Sequence, residues 1–201
     1  MKKFLANLII LATLLFTGIA AYAANTARQT LDKAAAKVNL SKGISASFTI
    51  SGGSIGTQSG SVAIKGDKFN AITKNTIIWF DGKTQWLYNK KSQEVNISTP
   101  KNAQLASMNP YFFLTIYKKG YKLNQTANAN GYNVHAFDGK TGIKEIYILT
   151  DRQYNIKKIK LKQGGQWLSI TINNLTHKTI SDSAFRFNAK EYPKAEVIDL
   201  R

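Results

Sequence analysis

His135 and His177 are the only imidazoles in this 201-residue chain, and no cysteine accompanies them. Acid–base or metal chemistry built on histidine needs a carboxylate, a nucleophile or further ligands at suitable spacing. Neither histidine has them, so both read as structural or exposed. Thiol nucleophiles, disulfides and cysteine-based metal sites are excluded outright. The 11 acids include Glu94, Glu145, Asp151 and Asp182 without the paired spacing that glycoside hydrolysis requires. Gly52-Gly53-Ser54-Ile55-Gly56 is glycine-rich, but no helical pattern follows it, so it reads as a hairpin tip and not as a phosphate cradle. No enzyme activity, metal or cofactor is expected, and function must lie in surfaces.

Lysine and arginine number 28 against 11 acids, a formal net charge of +17, and 43% of the residues are hydrophobic, enough for a real core. Residues 1–23 open with Lys2 and Lys3, run through apolar Leu8 to Phe16 and end on Ala21-Tyr22-Ala23. That is the layout of a cleaved export signal, and Asn7, Thr13, Thr17 and Gly18 interrupt the run too often for a membrane span. Cleavage removes Lys2, Lys3 and no acid, leaving +15 on residues 24–201, which carry no composition break or repeat and read as one domain. With no cysteine to acylate, the exported chain is expected to be free in the periplasm. Lysines interleaved with Tyr and Trp could suggest nucleic acid, but export argues against it; a solvated face is simpler, with transient contact to acidic headgroups as the functional alternative.

The elements follow from periodicity. Thr26-Ala27-Arg28-Gln29 resembles a helix start, and Ala27, Leu31, Ala34, Ala35 and Val38 recur at helical spacing until Gly43. From Ile44 the period becomes two, with Ile44, Ala46, Phe48 and Ile50 alternating with Ser and Thr. Strands around Val62, Phe69, Ile77–Phe80, Thr84–Tyr88 and Glu94–Ser98 follow, and Asp81-Gly82 is the clearest hairpin signal. A greasy Pro110–Lys118 segment then predicts a short helix closed by Gly120, after which strands resume at 121–125, 132–137, 145–150, 156–162 and 167–173, and Ala195–Leu200 adds a candidate edge strand. The fold expected is mainly β (α+β): a strongly curved antiparallel sheet of about ten or eleven strands, an incomplete barrel covered by helical lid segments.

Such a sheet has more oily inner surface than two modest helices can hide, which leaves a cavity suited to an apolar ligand. Phe48, Ile50, Val62, Ile64, Phe69, Ile146, Ile148, Ile159 and Leu161 are the candidate wall, with Leu31, Val38, Phe112, Phe113 and Ile116 as lid. Trp86 and Tyr88 join the wall, although Leu87 competes for the same face. Taken singly, each is equally an ordinary core residue.

Three strings carry a resemblance. Asp81-Gly82-Lys83-Thr84-Gln85-Trp86-Leu87-Tyr88-Asn89, Asn109-Pro110-Tyr111-Phe112-Phe113-Leu114 and Phe185-Arg186-Phe187-Asn188 with Ala195–Asp199 are similar, in that order, to segments of the LolA family, particularly its Bacteroidetes-type branch. The resemblance runs over about residues 25–199 and implies a monomeric periplasmic carrier. It would take the acyl chains of lipoproteins from an inner-membrane release complex to an outer-membrane acceptor, performing no chemistry. Many members have an Arg near the third strand, followed by Pro and Phe-x-Trp; here Lys65 to Ala71 lacks both Arg and Trp. The lid lock which that Arg implies is therefore not transferred to Lys65 or Lys68. The rival readings are a lipid or lipoprotein sensor on the same fold, and an exported hydrolase, which would need a nucleophile beside a base.

Overall fold

The computed structural model describes residues 26–38, 41–53, 56–100, 116–140 and 143–201. The helical spacing after Thr26 forms helix α1 over 26–37, and the alternating stretches form strands. These are β1 Ile44–Gly52, β2 Thr57–Lys65, β3 Lys68–Thr73, β4 Thr76–Phe80, β5 Gln85–Asn89 and β6 Glu94–Ser98. After a 3-10 turn at Ile116–Lys119 come β7 Lys122–Asn128, β8 Gly131–Phe137, β9 Ile143–Asp151, β10 Ile156–Gln163 and β11 Gln166–His177; β12 Glu196–Asp199 is the last strand. The expected signal at 1–23 and the Phe112 and Phe113 lid positions lie outside the described residues. Of the expected 110–118 helix, only 116–118 are described, and they belong to the 3-10 turn, which Ile116 opens.

All twelve strands join one sheet in the order β12-β6-β5-β4-β3-β2-β1-β11-β10-β9-β8-β7. The two meanders meet at β1 and β11, which pair antiparallel from Ile44 opposite His177 to Gly52 opposite Leu168. The sheet curves without closing, an incomplete barrel. One departure from antiparallel order is β12, which lies parallel to β6 with Val197 opposite Val95. A parallel partner cannot arrive by a tight turn, and the connection from β11 supplies the needed length.

The Asp81-Gly82 turn forms as its residues dictate. Asp81 Oδ1 accepts hydrogen bonds from the backbone N–H of Lys83 (3.1 Å) and Thr84 (2.9 Å), while Gly82 takes a φ of 98° that a side chain would resist. It joins β4 to β5 and sets Ile78 opposite Leu87 and Trp79 opposite Trp86. Directly opposed residues share a face, so Leu87 belongs with Ile78, and Trp86 and Tyr88 project to the other side.

Both sides are covered, by different means. On the inner face Ala27, Leu31 and Ala34 of α1 and Val38 just after it enter one buried cluster with Ile44, Ile64, Phe69, Phe80, Val134, Ile146, Ile148, Ile159 and Leu161. On the outer face of β4–β6, Trp79 meets Phe187 and Tyr192 edge-on at ring-centroid distances of 5.6 and 5.5 Å, and Tyr88 meets Tyr192 at 4.9 Å. The segment after β11 thus forms a second, aromatic core with Phe185 fully buried.

Ion pairs pin this segment at its root. Lys65 Nζ donates to Asp182 Oδ1 (2.8 Å) and to the Ile180 carbonyl (3.0 Å), and Lys68 Nζ donates to Asp182 Oδ2 (2.7 Å). Arg186 approaches Asp81 at 3.2 Å. The two lysine hydrogen bonds hold the Asp182 pKa down from 3.8 to about 2. Stability from this group is complete above pH ~4 and is lost as pH falls from there toward 2. Asp182→Asn should flatten that part of an acid-unfolding curve and leave the neutral-to-basic limb unchanged; an acid limb identical to wild type counts against the clamp. Phe185→Ala should cost about 3–5 kcal/mol in urea denaturation.

Candidate functional site

The inner face is set by the ladder register. From β1 outward in one direction Ile44, Ile64, Phe69 and Phe80 lie side by side, as do Ala46, Val62, Ala71, Ile78 and Leu87. In the other direction Ile50, Ile170, Ile159, Ile148 and Val134 form a continuous apolar row, with Leu168, Leu161, Ile146 and Ala136 beside it. Phe48, Ile50, Val62, Ile64, Phe69, Ile146, Ile148, Ile159 and Leu161 therefore all share this face. Trp86 and Tyr88 do not: they must be removed from the candidate wall, because Leu87 takes the inward position and consecutive strand residues point to opposite sides.

α1 divides the face into two zones. Under the helix, Ile64, Phe69, Ile146, Ile148, Ile159 and Leu161 are at most 5% exposed, and Leu31 and Val38 are buried against them. Toward the far ends of β1 and β2 and along β11, Phe48, Ile50, Val62, Leu168, Ile170 and Ile172 are only half-buried. Among the described residues, the inner surface is thus fully buried where the helix lies and only partly buried beyond it. Gly60 faces Phe48 across the ladder; a Cβ there would come within 2.9 Å of the Phe48 ring, so the absent side chain leaves room for that ring.

Beside α1 the uncovered zone deepens into a cleft of about 500 Å³ lined by Ala34, Val38, Ile156, Ile172 and Leu175, with Lys37, Lys157 and His177 also on its walls. A β-bulge builds one wall. The register between β1 and β11 shifts by one residue between Ser45 and Ser47, and Asn174 takes a φ of 51° there. Ile172 and Leu175, three positions apart, thereby both line the cleft. Asn155, Asn173 and Asn174 share its walls with these apolar and basic side chains, so the cleft is of mixed polarity.

The helix is moored on this side. Lys33 Nζ donates to the Tyr154 hydroxyl at 3.2 Å and sits 4.7 Å from its ring centroid, and Tyr154 stacks on Tyr132 at 5.2 Å. A hydrogen bond from the Tyr132 hydroxyl, reinforced by Lys33, lowers the Tyr154 pKa. His177 Nε2 lies 2.8 Å from the Lys37 carbonyl at the end of the helix. These contacts are peripheral and solvent-accessible, so the helix is fastened chiefly by its apolar stripe.

His135 is on the outer face, its Nε2 3.0 Å from Glu145 Oε1, which also accepts from the Tyr147 hydroxyl at 3.1 Å. Among the described residues no group of three or more His, Asp or Glu is arranged to hold a metal, and no helix is long and apolar enough to cross a membrane. The outer aromatic core at Trp79, Tyr88, Phe187 and Tyr192 is absent from the sequence reading. Its signal is nevertheless present: β4 and β5 are apolar at consecutive positions, so they need cover on two sides.

Comparison with known proteins bears on this geometry. Residues 17–166 match a family model described as outer membrane lipoprotein carrier protein LolA. A protein of Haemophilus influenzae named outer-membrane lipoprotein carrier protein is 29% identical over 202 residues, covering 94% of this chain and 95% of the relative. The crystal structure of an uncharacterized conserved protein from Thermus thermophilus superposes with a TM-score of 0.56 at 13% identity, over 87% of this chain and 99% of that one.

The two zones predict different costs of truncation. Leu31→Ala, in the closed zone, should lose about 2–5 kcal/mol of unfolding free energy, whereas Ile170→Ala, in the accessible zone, should lose about 1 kcal/mol. Urea titration of both variants measures the difference, and equal costs would mean that Ile170 is packed as tightly as the core.

Proposed function

This chain belongs to the family of outer membrane lipoprotein carrier proteins LolA, and from that premise we propose that it carries the acyl chains of lipoproteins through the periplasm to the outer membrane. The observation that supports the reading is the zoned inner face, predominantly apolar and, among the described residues, fully buried only where α1 lies.

The energetics of carriage agree with such a surface. Burial of each methylene is worth roughly 0.8 kcal/mol, so full enclosure of a 16-carbon chain would contribute about 12 kcal/mol. A carrier that held its cargo so tightly would not release it. Half-buried Phe48, Ile50, Val62, Ile170 and Ile172 give the chains a surface without complete enclosure. Where α1 already fills the inner face, cargo gains area only by displacing the Leu31 and Val38 contacts, and that competition keeps loading near balance. The inner-membrane donor and outer-membrane acceptor then set the direction of transfer. Hydrolysis and cofactor chemistry have no part in the cycle.

Mass spectrometry of lipid and protein co-purifying with the exported chain tests the reading. Wild type should yield acylated lipoprotein. Ile50→Asp and Ile172→Asp, which place a charge on the accessible zone, should reduce recovery at least tenfold while circular dichroism stays unchanged. Equal recovery from folded variants and wild type would reject the site.

A further inference from the structure

The outer face is treated differently in its two halves. Over β4–β6 it is roofed by the C-terminal aromatic segment, and at β1, β2 and β11 it presents hydroxyls such as Ser45 and Thr176, 3.0 Å apart, and Thr49 and Ser59, also 3.0 Å apart. On β8–β10 and the first residues of β11, no described residue roofs it and it carries a row of rings. Trp167 lies 5.8 Å from Tyr147, Tyr147 stacks on His135 at 4.2 Å, and His135 is 5.0 Å from Phe137. These rings are half-exposed, and exposed Lys144, Lys158 and Lys160 surround them with half-exposed Lys162.

Charge on this face is lopsided. Its acids are engaged locally: Asp138 pairs with Lys122 at 2.6 Å, and Glu145 binds His135 and Tyr147. Among the described residues, none of Lys144, Lys158, Lys160 and Lys162 forms an ion pair with a carboxylate. Lys160 and Lys162 instead lie over Trp167, 4.4 and 5.6 Å from its centroid. On β10 the order Lys158-Ile159-Lys160-Leu161-Lys162 puts every lysine outside because Ile159 and Leu161 are locked inside. A shallow recess of about 510 Å³ beside the row is lined by His135, Phe137, Lys144 and Lys162, by the locally engaged Asp138 and Glu145, and by the Gly164-Gly165 hairpin tip.

We propose that the outer face of β8–β11 docks the protein on an anionic bilayer surface. Amphipathic rings beside flexible lysines are the combination that settles at the headgroup level, the rings at the apolar boundary and the ammonium groups among phosphates. An acidic protein would satisfy the lysines but would give the ring row no apolar boundary to enter. The surface lies on the opposite side of the sheet from the cargo zone, so the protein can touch a membrane while the inner face stays free to receive or discharge chains. The docking stands on the outer-face geometry alone and does not rest on the carrier reading.

Co-sedimentation of the purified protein with phosphatidylcholine vesicles, with and without phosphatidylglycerol, tests it. Binding should require phosphatidylglycerol and vanish near 1 M salt, where the screening length falls to about 3 Å. Each surface lysine is worth about fivefold in partitioning, so exposed-site Lys158→Gln/Lys160→Gln should weaken binding about 25-fold. Vesicle contact should blue-shift tryptophan emission, and Trp167→Phe should abolish that shift without changing the fold by circular dichroism. Binding that ignores phosphatidylglycerol, or that survives the double lysine substitution, overturns the proposal. So does binding to soluble polyglutamate as strong as to vesicles with no emission change, which would assign the face to an acidic protein. Cargo recovery is expected to be unchanged in all these variants, so failure here is distinguishable from failure of the carrier reading.

Discussion

The ladder between β1 and β11 is the contact on which every other facing relation depends. It joins two meanders that are otherwise built from neighbours in sequence, and it fixes which residues of both look inward. A slip of one residue would turn Ile170 and Leu168 outward and bring Ser169 and Thr171 onto the inner face. The bulge at Ser45–Ser47 breaks that parity locally, and it falls where the cleft beside α1 needs two apolar residues on the same wall.

Covering a sheet of this width is then a question of area. α1 contributes only a stripe of alanines, one leucine and one valine, and it closes the middle of the inner face. The outer face of β4–β6 is too apolar to meet water, and the last stretch of chain answers with Phe185, Phe187 and Tyr192 and an added parallel strand. Lys65 and Lys68, in the strand region where the family often carries an arginine, fasten that stretch through Asp182. Their position stands out in the sequence, but their partner lies more than a hundred residues away, and no local pattern could disclose it.

Much of the architecture was legible from periodicity. Alternation alone sets the inward residues of β1 and β10, because their other faces are largely Ser, Thr and Lys and leave little choice. The assignment of Trp86 and Tyr88 to the wall fails for the opposite reason. In Gln85–Asn89 three consecutive apolar side chains make both parities plausible, and only the pairing of Leu87 with Ile78 decides between them. The ring row on β8–β11 has no local signature, because its members come from three strands and meet only once those strands are paired. The final strand is readable from its pattern, but its parallel direction depends on where the C-terminal segment crosses the sheet.

Ser45 and Thr176 touch across an interval of 131 residues. The central seam therefore cannot be laid until nearly the whole polypeptide is available, and topologies dominated by such distant pairings assemble slowly. During that delay the first meander has an unsatisfied border at β1 and an unroofed aromatic side at β4–β6. A newly made molecule in this condition is held back from its final shape until its tail has been made.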